Sequence, residues 1–148
     1  MKLLNSQIIR IKKKKNLKII KPVNIYGTEF GNNCFVGPFC EIQKNVKIGD
    51  NTKVQSHSFI CEFVTIGKNC FIGHGVMFIN DKFSDGKPAG GNKKKWKITN
   101  INSNVYIGSN STILPVKICS NVVIGAGSVV TKDITKPGKY IGNPAKKI

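Results

Sequence analysis

The sequence predicts an all-β fold, a parallel β-solenoid of short strands with one long excursion loop. Between residues 30 and 81 every sixth residue is large and apolar: Val36, Ile42, Ile48, Val54, Ile60, Ile66, Ile72 and Phe78. A smaller or β-branched residue stands two positions before each of them: Cys34, Cys40, Val46, Thr52, Ser58, Val64, Cys70 and Val76. A period of six fits neither a helix of 3.6 residues per turn nor simple strand alternation. It is typical of a solenoid whose flat sides are about six residues long.

Each large residue and its small partner are predicted to point into the solenoid. Three sides make one coil, so residues eighteen apart are expected to stack on neighbouring coils. The pattern resumes after the loop, with large residues at Ile101, Ile107, Ile113, Ile118, Ile124 and Val130. Their small partners are Thr99, Val105, Ser111, Val116, Val122 and Ser128. Glycine often follows the large residue, as in Ile48-Gly49.

The 148 residues are predicted to form one domain with four parts. Residues 1–16 are expected to be an irregular capping segment in which the lysine run 12–15 is solvated. The solenoid domain is expected to span residues 17–148. Between about 82 and 96 a stretch rich in Gly, Pro, Asn and Lys predicts a long loop. Residues from about 131 to 148 are expected to close the last edge as an extended cap.

Composition and charge narrow the classes of function. No apolar run reaches membrane-spanning length and no clean signal peptide is recognisable, so we expect a cytoplasmic protein without a membrane partner. The formal charge is +17, but the only arginine among the 24 basic residues is Arg10. Proteins that read base edges depend on arginine, so no nucleic-acid partner is expected. A basic protein can still favour small polyanions such as nucleotide sugars or coenzyme A.

The five cysteines are predicted to be reduced thiols rather than a disulfide framework. Cys34, Cys40 and Cys70 fall in the small inward row, where cysteine acts as a compact apolar side chain. Cys61 and Cys119 take the position that glycine usually holds after the large residue. The sequence assigns no chemistry to any of them.

The residues at the corners divide the solenoid into two specialised edges and one ordinary edge. Corners favour residues that tolerate a positive φ, as at Asn33, Asn45, Asn51, Asn69, Gly75, Asn104, Asn110, Asn121 and Gly127. In the first block the exceptions are Phe39, His57, Phe63 and Asp81. A first edge should carry Pro38-Phe39, Ser56-His57 and His74-Gly75. A second edge should carry Lys44-Asn45, Glu62-Phe63 and Asn80-Asp81, and the third Asn32-Asn33, Asp50-Asn51 and Lys68-Asn69.

Glu62 and Asn80 are the leading candidates for chemistry. They are expected one coil apart on the second edge, at about 4.8 Å, where the long loop leaves the solenoid. A carboxylate and an amide in this arrangement can hold an amine, with Glu62 accepting its protons and Asn80 orienting it. Two solvated corner residues would give the same spacing.

The first edge carries two imidazoles, His57 and His74, which can act as a base, as substrate contacts or as simple corner residues. They are too few for the three-histidine zinc site of carbonic-anhydrase-like solenoids, so no metal is expected. In the loop, the run from Lys93 to Trp96 can contact phosphates and a base or sugar face. It can equally be a solvated run of charge.

Three runs in the second block, 107–115, 124–133 and 142–146, resemble the CoA-binding coils of the hexapeptide-repeat acyltransferases. The repeat itself resembles the left-handed parallel β-helix of that family, and the resemblance covers nearly everything from Leu17 onward. It implies acetyl-CoA as co-substrate. CoA is then expected along the second block, beside Gly108, Ser109, Ala126, Gly127, Lys132 and Lys146.

The runs 36–39, 41–43, 55–62 and 73–81 resemble a narrower group, the nucleotide-sugar 3-N-acetyltransferases. These enzymes acetylate dTDP-3-amino-3,6-dideoxyhexoses, or a UDP-linked 3-amino uronic acid, for surface polysaccharide such as lipopolysaccharide O-antigen. The resemblance implies a homotrimer with active sites in clefts between neighbouring subunits, and it implies that Asn80 and Glu62 contact the sugar amine. The Pro-Arg that often follows Asn-Asp in relatives is absent here. Further substrate contacts are expected from His57, His74, Phe39, Asp81, Lys82 and Phe83.

The leading hypothesis is an acetyl-CoA-dependent N-acetyltransferase of a nucleotide-linked 3-amino sugar. A dTDP-3-amino-3,6-dideoxyhexose is favoured, because a uronate carboxylate would favour an arginine fork. UDP-2-acetamido-3-amino-2,3-dideoxyglucuronate is the alternative substrate. An O-acetyltransferase of the same fold, with His57 or His74 as base, is a second alternative. A non-catalytic β-solenoid scaffold is the alternative outside the enzymes.

Overall fold

The computed structural model describes residues 8–148, and these residues form twenty-one short strands and one 3-10 helix, Lys93–Lys95. In chain order the strands are β1 (Ile8–Ile9), β2 (Lys12–Lys13), β3 (Lys18–Ile19), β4 (Asn24–Tyr26), β5 (Glu29–Phe30), β6 (Phe35–Val36), β7 (Glu41–Ile42), β8 (Lys47–Ile48), β9 (Lys53–Val54), β10 (Phe59–Ile60), β11 (Val64–Ile66), β12 (Phe71–Ile72), β13 (Met77–Phe78), β14 (Thr99–Ile101), β15 (Val105–Ile107), β16 (Thr112–Ile113), β17 (Lys117–Ile118), β18 (Val122–Ile124), β19 (Val129–Val130), β20 (Gly138–Ile141) and β21 (Lys146–Lys147).

The strands form three sheets that the chain visits in turn, so the backbone winds as a coil. Sheet A has the order β1-β4-β7-β10-β13-β16-β19, sheet B β2-β5-β8-β11-β14-β17, and sheet C β3-β6-β9-β12-β15-β18-β20-β21. All strand pairs are parallel except β20 with β21. Phe59 pairs with Glu41 across eighteen residues. The predicted β-solenoid with stacked coils is therefore confirmed.

The interior contains the two predicted rows of side chains. Every large residue of the six-residue period is buried, and so is every small partner. The hydroxyls of Thr52, Ser58 and Ser111 are hydrogen-bonded to the next coil, whereas the buried hydroxyl of Thr99 has no partner among the described residues. The Thr52 hydroxyl donates to the carbonyl of Gly67 at 2.8 Å, and the Ser58 hydroxyl donates to the carbonyl of Gly73 at 2.9 Å. Because buried hydroxyls need a partner, these contacts explain how the narrow core accommodates polar residues.

The glycine after a large residue permits close contact between coils. A methyl group added at Gly49 would lie 2.6 Å from the carbonyl carbon of Gly67 on the next coil. A methyl group added at Gly67 would likewise lie 2.7 Å from the carbonyl carbon of Asn102. A larger residue at either site would force the coils apart.

All nine predicted Asn and Gly corners have a positive φ between 55° and 69°. Phe39, His57 and Phe63 adopt the same backbone conformation at φ of 60°, 63° and 69°, although it is unfavourable for bulky residues. On the third edge, the side-chain amides of successive corners form a continuous ladder, each Nδ2 donating to the next Oδ1 at 2.9 to 3.3 Å. Its members are Asn16, Asn33, Asn51, Asn69, Asn104 and Asn121.

The sheets begin before residue 17, the predicted start of the solenoid. Strands β1 and β2 lie within the segment predicted to be irregular, and they pair in parallel with β4 and β5. Ile11 packs against the core, but the lysines around it hide this inward position in the sequence. Residues 1–7 of that segment lie outside the described residues.

The loop and the C-terminal segment interrupt the regular coil. The chain leaves sheet A after β13 and returns at β14, and Met77 therefore pairs with Thr112, thirty-five residues away. At the C-terminus β20 adds to sheet C and β21 folds back on it, which closes that end. No helix within residues 8–148 is long and apolar enough to cross a membrane.

Candidate functional site

The second edge brings Glu62 and Asn80 together on adjacent coils. The side-chain amide of Asn80 donates to the backbone carbonyl of Glu62 at 3.3 Å. The predicted stacking of the two residues is therefore present, and the amide contacts the backbone rather than the carboxylate. The amide is thus fixed beside the glutamate while the carboxylate keeps both oxygens for another partner.

That partner is a lysine from the loop. The Nζ of Lys93 donates to both carboxylate oxygens of Glu62, at 3.0 Å to Oε1 and 2.8 Å to Oε2. Glu62 is only 6% exposed, and a carboxylate at this depth requires a cation or several donors. The contact raises the pKa of Lys93 above its ordinary value, because the hydrogen bond to Glu62 favours the ammonium form.

Gln43 and Tyr26 complete the surroundings of Glu62. The side-chain oxygen of Gln43 accepts from the backbone N–H of Glu62 at 3.2 Å, and its Nε2 donates to Oε1 of Glu41 at 3.0 Å. Burial raises the pKa of Tyr26, and the charges of Glu41 and Glu62 raise it further. The carboxylate therefore lies in a polar cluster built from three successive coils.

Aromatic rings support the lysine from the loop side. The Nζ of Lys93 lies 5.6 Å from the centre of the Trp96 ring, within the range of a cation–π contact. The Trp96 ring lies 6.3 Å from that of Phe63, centre to centre. Asn92 caps the short helix that carries Lys93 by accepting from the backbone N–H of Lys94. The loop thus returns over the second edge with its cation above the carboxylate.

Asp81 fixes the first half of the loop. Its Oδ1 accepts from the backbone N–H of Phe83 at 3.0 Å, and its Oδ2 accepts from that of Ala89 at 2.7 Å. An ion pair between Lys95 and Asp85 crosses the loop. Both oxygens of Asp81 are used in the folded chain, so its observed role is to shape the loop.

An apolar hollow of about 500 Å³ adjoins the amide of Asn80. Its lining includes the predicted substrate contacts Asp81, Lys82 and Phe83. The rest of the wall is formed by Phe59, Met77, Ile79 and Leu114 together with the buried core residue Phe78. The volume is within the range of small-molecule sites, and one side of the hollow is polar.

The first edge carries the other predicted substrate contacts. The backbone N–H of His57 donates to the carbonyl of Pro38, and that of Gly75 to the carbonyl of Ser56, which places His57 and His74 on adjacent coils. The Phe39 ring packs against His57 with 4.9 Å between ring centres. Sheet A separates this edge from the second edge by a span of up to roughly 17 Å for five residues. One chain therefore does not bring His57 to Glu62.

The predicted CoA contacts form one group and two separate lysines. Gly108, Ser109, Ala126 and Gly127 stack on the last two coils of the first edge, where the backbone N–H of Gly127 donates to the carbonyl of Ser109 at 2.8 Å. Lys132 follows β19, and Lys146 lies in β21. Both lysines are exposed.

The cysteines are all free. Cys34, Cys40, Cys61 and Cys70 are buried, and Cys119 is half-buried. Burial raises the pKa of the Cys61 thiol to about 12. Within the described part of the chain, no group of three or more His, Cys, Asp or Glu side chains is placed to hold a metal ion.

Sequence reasoning missed the lysine that pairs with Glu62. For the run that begins at Lys93 the sequence allowed either phosphate contacts or solvated charge. The eighteen-residue stacking rule does not apply to a side chain inside an insertion, so it could not place Lys93 beside Glu62. Gln43 was detectable in principle, since it precedes Cys61 by eighteen residues and so lies directly above the residue before Glu62. Tyr26 was not, because it precedes the regular six-residue repeat, which was recognised only from residue 30 onward.

Two family models match the chain over the solenoid. One, described as bacterial transferase hexapeptide (six repeats), matches residues 27–62. The other, described as hexapeptide repeat of succinyl-transferase, matches residues 63–77 and 99–132. The gap between 77 and 99 is the loop that carries Lys93.

Among curated proteins the chain is similar to the bifunctional protein GlmU of several bacteria. It is 40% identical over 109 residues to that of Carboxydothermus hydrogenoformans, covering 73% of this chain and 22% of the relative. It is 40% identical over 118 residues to that of Thermodesulfovibrio yellowstonii, covering 79% of this chain and 24% of the relative. The chain thus spans less than a quarter of these relatives.

Among solved structures the chain is similar to AntD, an N-acyltransferase from Bacillus cereus. A point mutant of AntD in complex with dTDP and coenzyme A matches with a TM-score of 0.82 and 24% identity, over 98% of this chain and 90% of AntD. The acetyltransferase VCA0836 from Vibrio cholerae, in complex with acetyl-coenzyme A, matches with a TM-score of 0.61 and 23% identity, over 84% and 68% of the two chains.

These comparisons agree with the coiled architecture. The hexapeptide period found in the sequence is the one that both family models describe, and together the models cover most of the solenoid. The structural matches extend over nearly the whole chain, and they confirm the predicted left-handed parallel β-helix. The chain belongs to the hexapeptide-repeat family of bacterial transferases.

Proposed function

We propose that this protein is an N-acyltransferase that moves an acetyl group from acetyl-CoA to the amine of a nucleotide-linked amino sugar. The observation that carries the proposal is the buried Glu62 carboxylate, which holds an ammonium at 2.8 Å beside the fixed amide of Asn80. The site is therefore built to bind an amine. The AntD structures, with dTDP and coenzyme A bound, support the choice of co-substrates.

In the proposed reaction the substrate's own amine is the nucleophile. A sugar amine is less basic than a lysine, whose pKa is about 10.4, so a useful fraction is neutral near neutral pH. Its lone pair attacks the thioester carbon, the C–S bond breaks after a tetrahedral intermediate, and the proton from nitrogen goes to the departing CoA thiolate. The protein supplies positioning through Glu62 and Asn80. A backbone N–H on a glycine-bearing coil stabilises the oxyanion.

The favoured acceptor is a dTDP-3-amino-3,6-dideoxyhexose. The position of the amine follows from the resemblance of the central run to 3-N-acetyltransferases, and the nucleotide agrees with the AntD complexes. A second acceptor has a specific observation in its favour, because AntD is also solved with dTDP-4-amino-4,6-dideoxyglucose. The UDP-linked uronate stays the third candidate. We place the reaction in the cytoplasm, in the supply of sugars for surface polysaccharide.

CoA is proposed to lie along the last coils of the first edge. The stacked residues Gly108, Ser109, Ala126 and Gly127 present a backbone surface with little side-chain bulk. Lys132 and Lys146, both exposed, are proposed to contact the CoA phosphates from either side of that surface. This assignment leaves the hollow beside Asn80 to the sugar, with Phe83 and Lys82 at its rim.

A homotrimer is proposed because one chain does not complete the site. The outward side of sheet B is polar, with Lys12, Glu29, Lys47, Thr65, Asn100 and Lys117. The outward sides of sheets A and C carry exposed apolar residues: Met77, Phe71, Tyr106 and Val123. A cyclic assembly that packs sheet A of one copy against sheet C of the next buries these residues. It also covers the hollow beside Asn80 with a neighbouring subunit, which supplies contacts that one chain lacks.

Thiol release from acetyl-CoA tests the proposal. The acceptor panel is dTDP-3-amino-3,6-dideoxyglucose, its galacto epimer, dTDP-4-amino-4,6-dideoxyglucose and UDP-2-acetamido-3-amino-2,3-dideoxyglucuronate. Turnover with a dTDP amino sugar is the expected result. Turnover with hydroxy sugars alone, abolished by His57→Ala or His74→Ala, would instead establish an O-acetyltransferase. Absence of both CoA binding and turnover would leave the scaffold alternative.

A further inference from the structure

Lys93 presents a cation to the carboxylate that is proposed to receive the substrate's amine. Its Nζ donates to both oxygens of Glu62, as a bound sugar ammonium would. The carboxylate is nearly buried, so it has little room for a second cation. An incoming amine therefore has to displace Lys93.

The two partners of this ion pair differ in how firmly they are held. Glu62 belongs to the solenoid, and its side chain is 8% exposed, while that of Lys93 is 43% exposed. Lys93 lies on a single helical turn of the loop, and that turn contains no buried residue. A lysine side chain has four rotatable bonds and three donors. The lysine can leave without disturbing the coil, whereas the carboxylate stays in place.

This inference rests on the proposed function. We propose that Lys93 is an internal substitute for the substrate's ammonium and a specificity residue for the reaction. In the free protein it neutralises Glu62. When the substrate's amine takes Glu62, Lys93 turns to the substrate's diphosphate.

The exchange selects acceptors that carry both an amine and a diphosphate. A free amino sugar displaces Lys93 but offers it no anion. A nucleoside diphosphate without an amine attracts Lys93 but leaves Glu62 buried and unpaired, which is unfavourable. Only the nucleotide-linked amino sugar compensates every charge, so each half of the substrate strengthens binding of the other.

Lys93 is not itself the acyl acceptor in this scheme. A lysine is more basic than a sugar amine, and the hydrogen bond to Glu62 raises the pKa of Lys93 further. Lys93 therefore keeps its proton, whereas the bound sugar amine gives one up more readily and exposes its lone pair. The pairing that places Lys93 at the site also protects it from acetylation.

Binding of dTDP, which lacks the amine, tests the exchange without any need for turnover. Titration calorimetry is carried out on the wild type, Glu62→Gln, Glu62→Gln/Lys93→Met and Glu62→Gln/Lys94→Met. Lys94 is the matched control, because it is exposed on the same turn and does not contact Glu62 in the described structure. Circular dichroism verifies that each variant is folded.

Glu62→Gln is expected to bind dTDP about tenfold more tightly than the wild type, since the charged contact of Glu62 with Lys93 no longer competes with the diphosphate. Adding Lys93→Met removes this gain, and adding Lys94→Met keeps it. Equal or weaker binding by Glu62→Gln overturns the inference, and so does a gain that survives Lys93→Met. Both results leave the proposed function intact if the wild type turns over amino sugars. Loss of dTDP binding and of turnover in all proteins instead refutes the function itself.

Discussion

The side-chain amide of Asn80 donates to the backbone carbonyl of Glu62, one coil away, at 3.3 Å. This contact joins the two candidate catalytic residues through the backbone of Glu62 and leaves both carboxylate oxygens to Lys93. The amide oxygen of Asn80 in turn remains able to accept from a bound amine. In the proposed reaction the two residues therefore have distinct tasks, with charge supplied by Glu62 and direction by Asn80.

Asn80→Ala is expected to lower kcat for the amino sugar by about 10²-fold, the usual effect of a misplaced reacting group. The fold should be retained, because the amide contributes a single hydrogen bond at the surface of the coil. Asn102→Ala, an exposed asparagine on the third edge, is the control. Steady-state kinetics together with a thermal melt measure both effects. Unchanged turnover would remove Asn80 from the mechanism.

Lys132→Glu is expected to raise the KM for acetyl-CoA several-fold and to leave the KM for the sugar unchanged. The reason is that a reversed charge repels the CoA phosphates, and a partly screened contact of this kind is worth about 1 kcal/mol. Lys136→Glu, also exposed on the C-terminal segment, is the control for net charge. The placement of CoA is contradicted if only the KM for the sugar changes.

Alkylation should distinguish the thiols. The pKa of Cys61 is raised to about 12 by burial, so at pH 8 only about one thiol in ten thousand is ionised. Cys119 is half-buried and more accessible. Iodoacetamide is expected to label Cys119 first and Cys61 only after unfolding, as read by mass spectrometry of peptides. Rapid labelling of Cys61 in the folded protein would contradict the burial of this corner.

Gly49→Ala is expected to destabilise the protein by about 1–3 kcal/mol, the usual cost of overpacking. The added methyl group would lie 2.6 Å from the carbonyl carbon of Gly67, and backbone on both sides cannot easily move. Lys47→Ala, on the outward side of the same strand region, is the matched control. Thermal or urea unfolding gives the difference, and equal stability of the two variants would mean that the coils can separate at low cost.

The coil itself could be predicted from the sequence because a single short rule repeats. Inward positions return every six residues, so the large and small rows and the corners all follow from the period. Asn69 illustrates this, since its place in the period predicted a positive φ that the structure shows at 55°. The same rule brought Glu62 and Asn80 together on one edge.

The features that the sequence did not predict lie outside the six-residue repeat. Lys93 belongs to the insertion between β13 and β14, and its contact with Glu62 depends on the path of the loop rather than on any period. The two hydrogen bonds by which Asp81 shapes that loop could not be predicted from the sequence either, because both donors are backbone N–H groups, which every residue except proline carries. At the N-terminus, four consecutive lysines concealed an inward isoleucine, so the first strands were not recognised.

The position of strand β2 suggests a function for the lysines at the N-terminal end of the solenoid. It is the outermost strand of sheet B within the described residues, and no described strand pairs with its outer side. Such an edge is a template on which another molecule's strand can add, and chains protect it with lysine. Lys12 and Lys13 occupy this terminal strand. If two copies met end to end at this strand, their positive charges would repel each other. This repulsion disfavours filaments that grow along the coil axis.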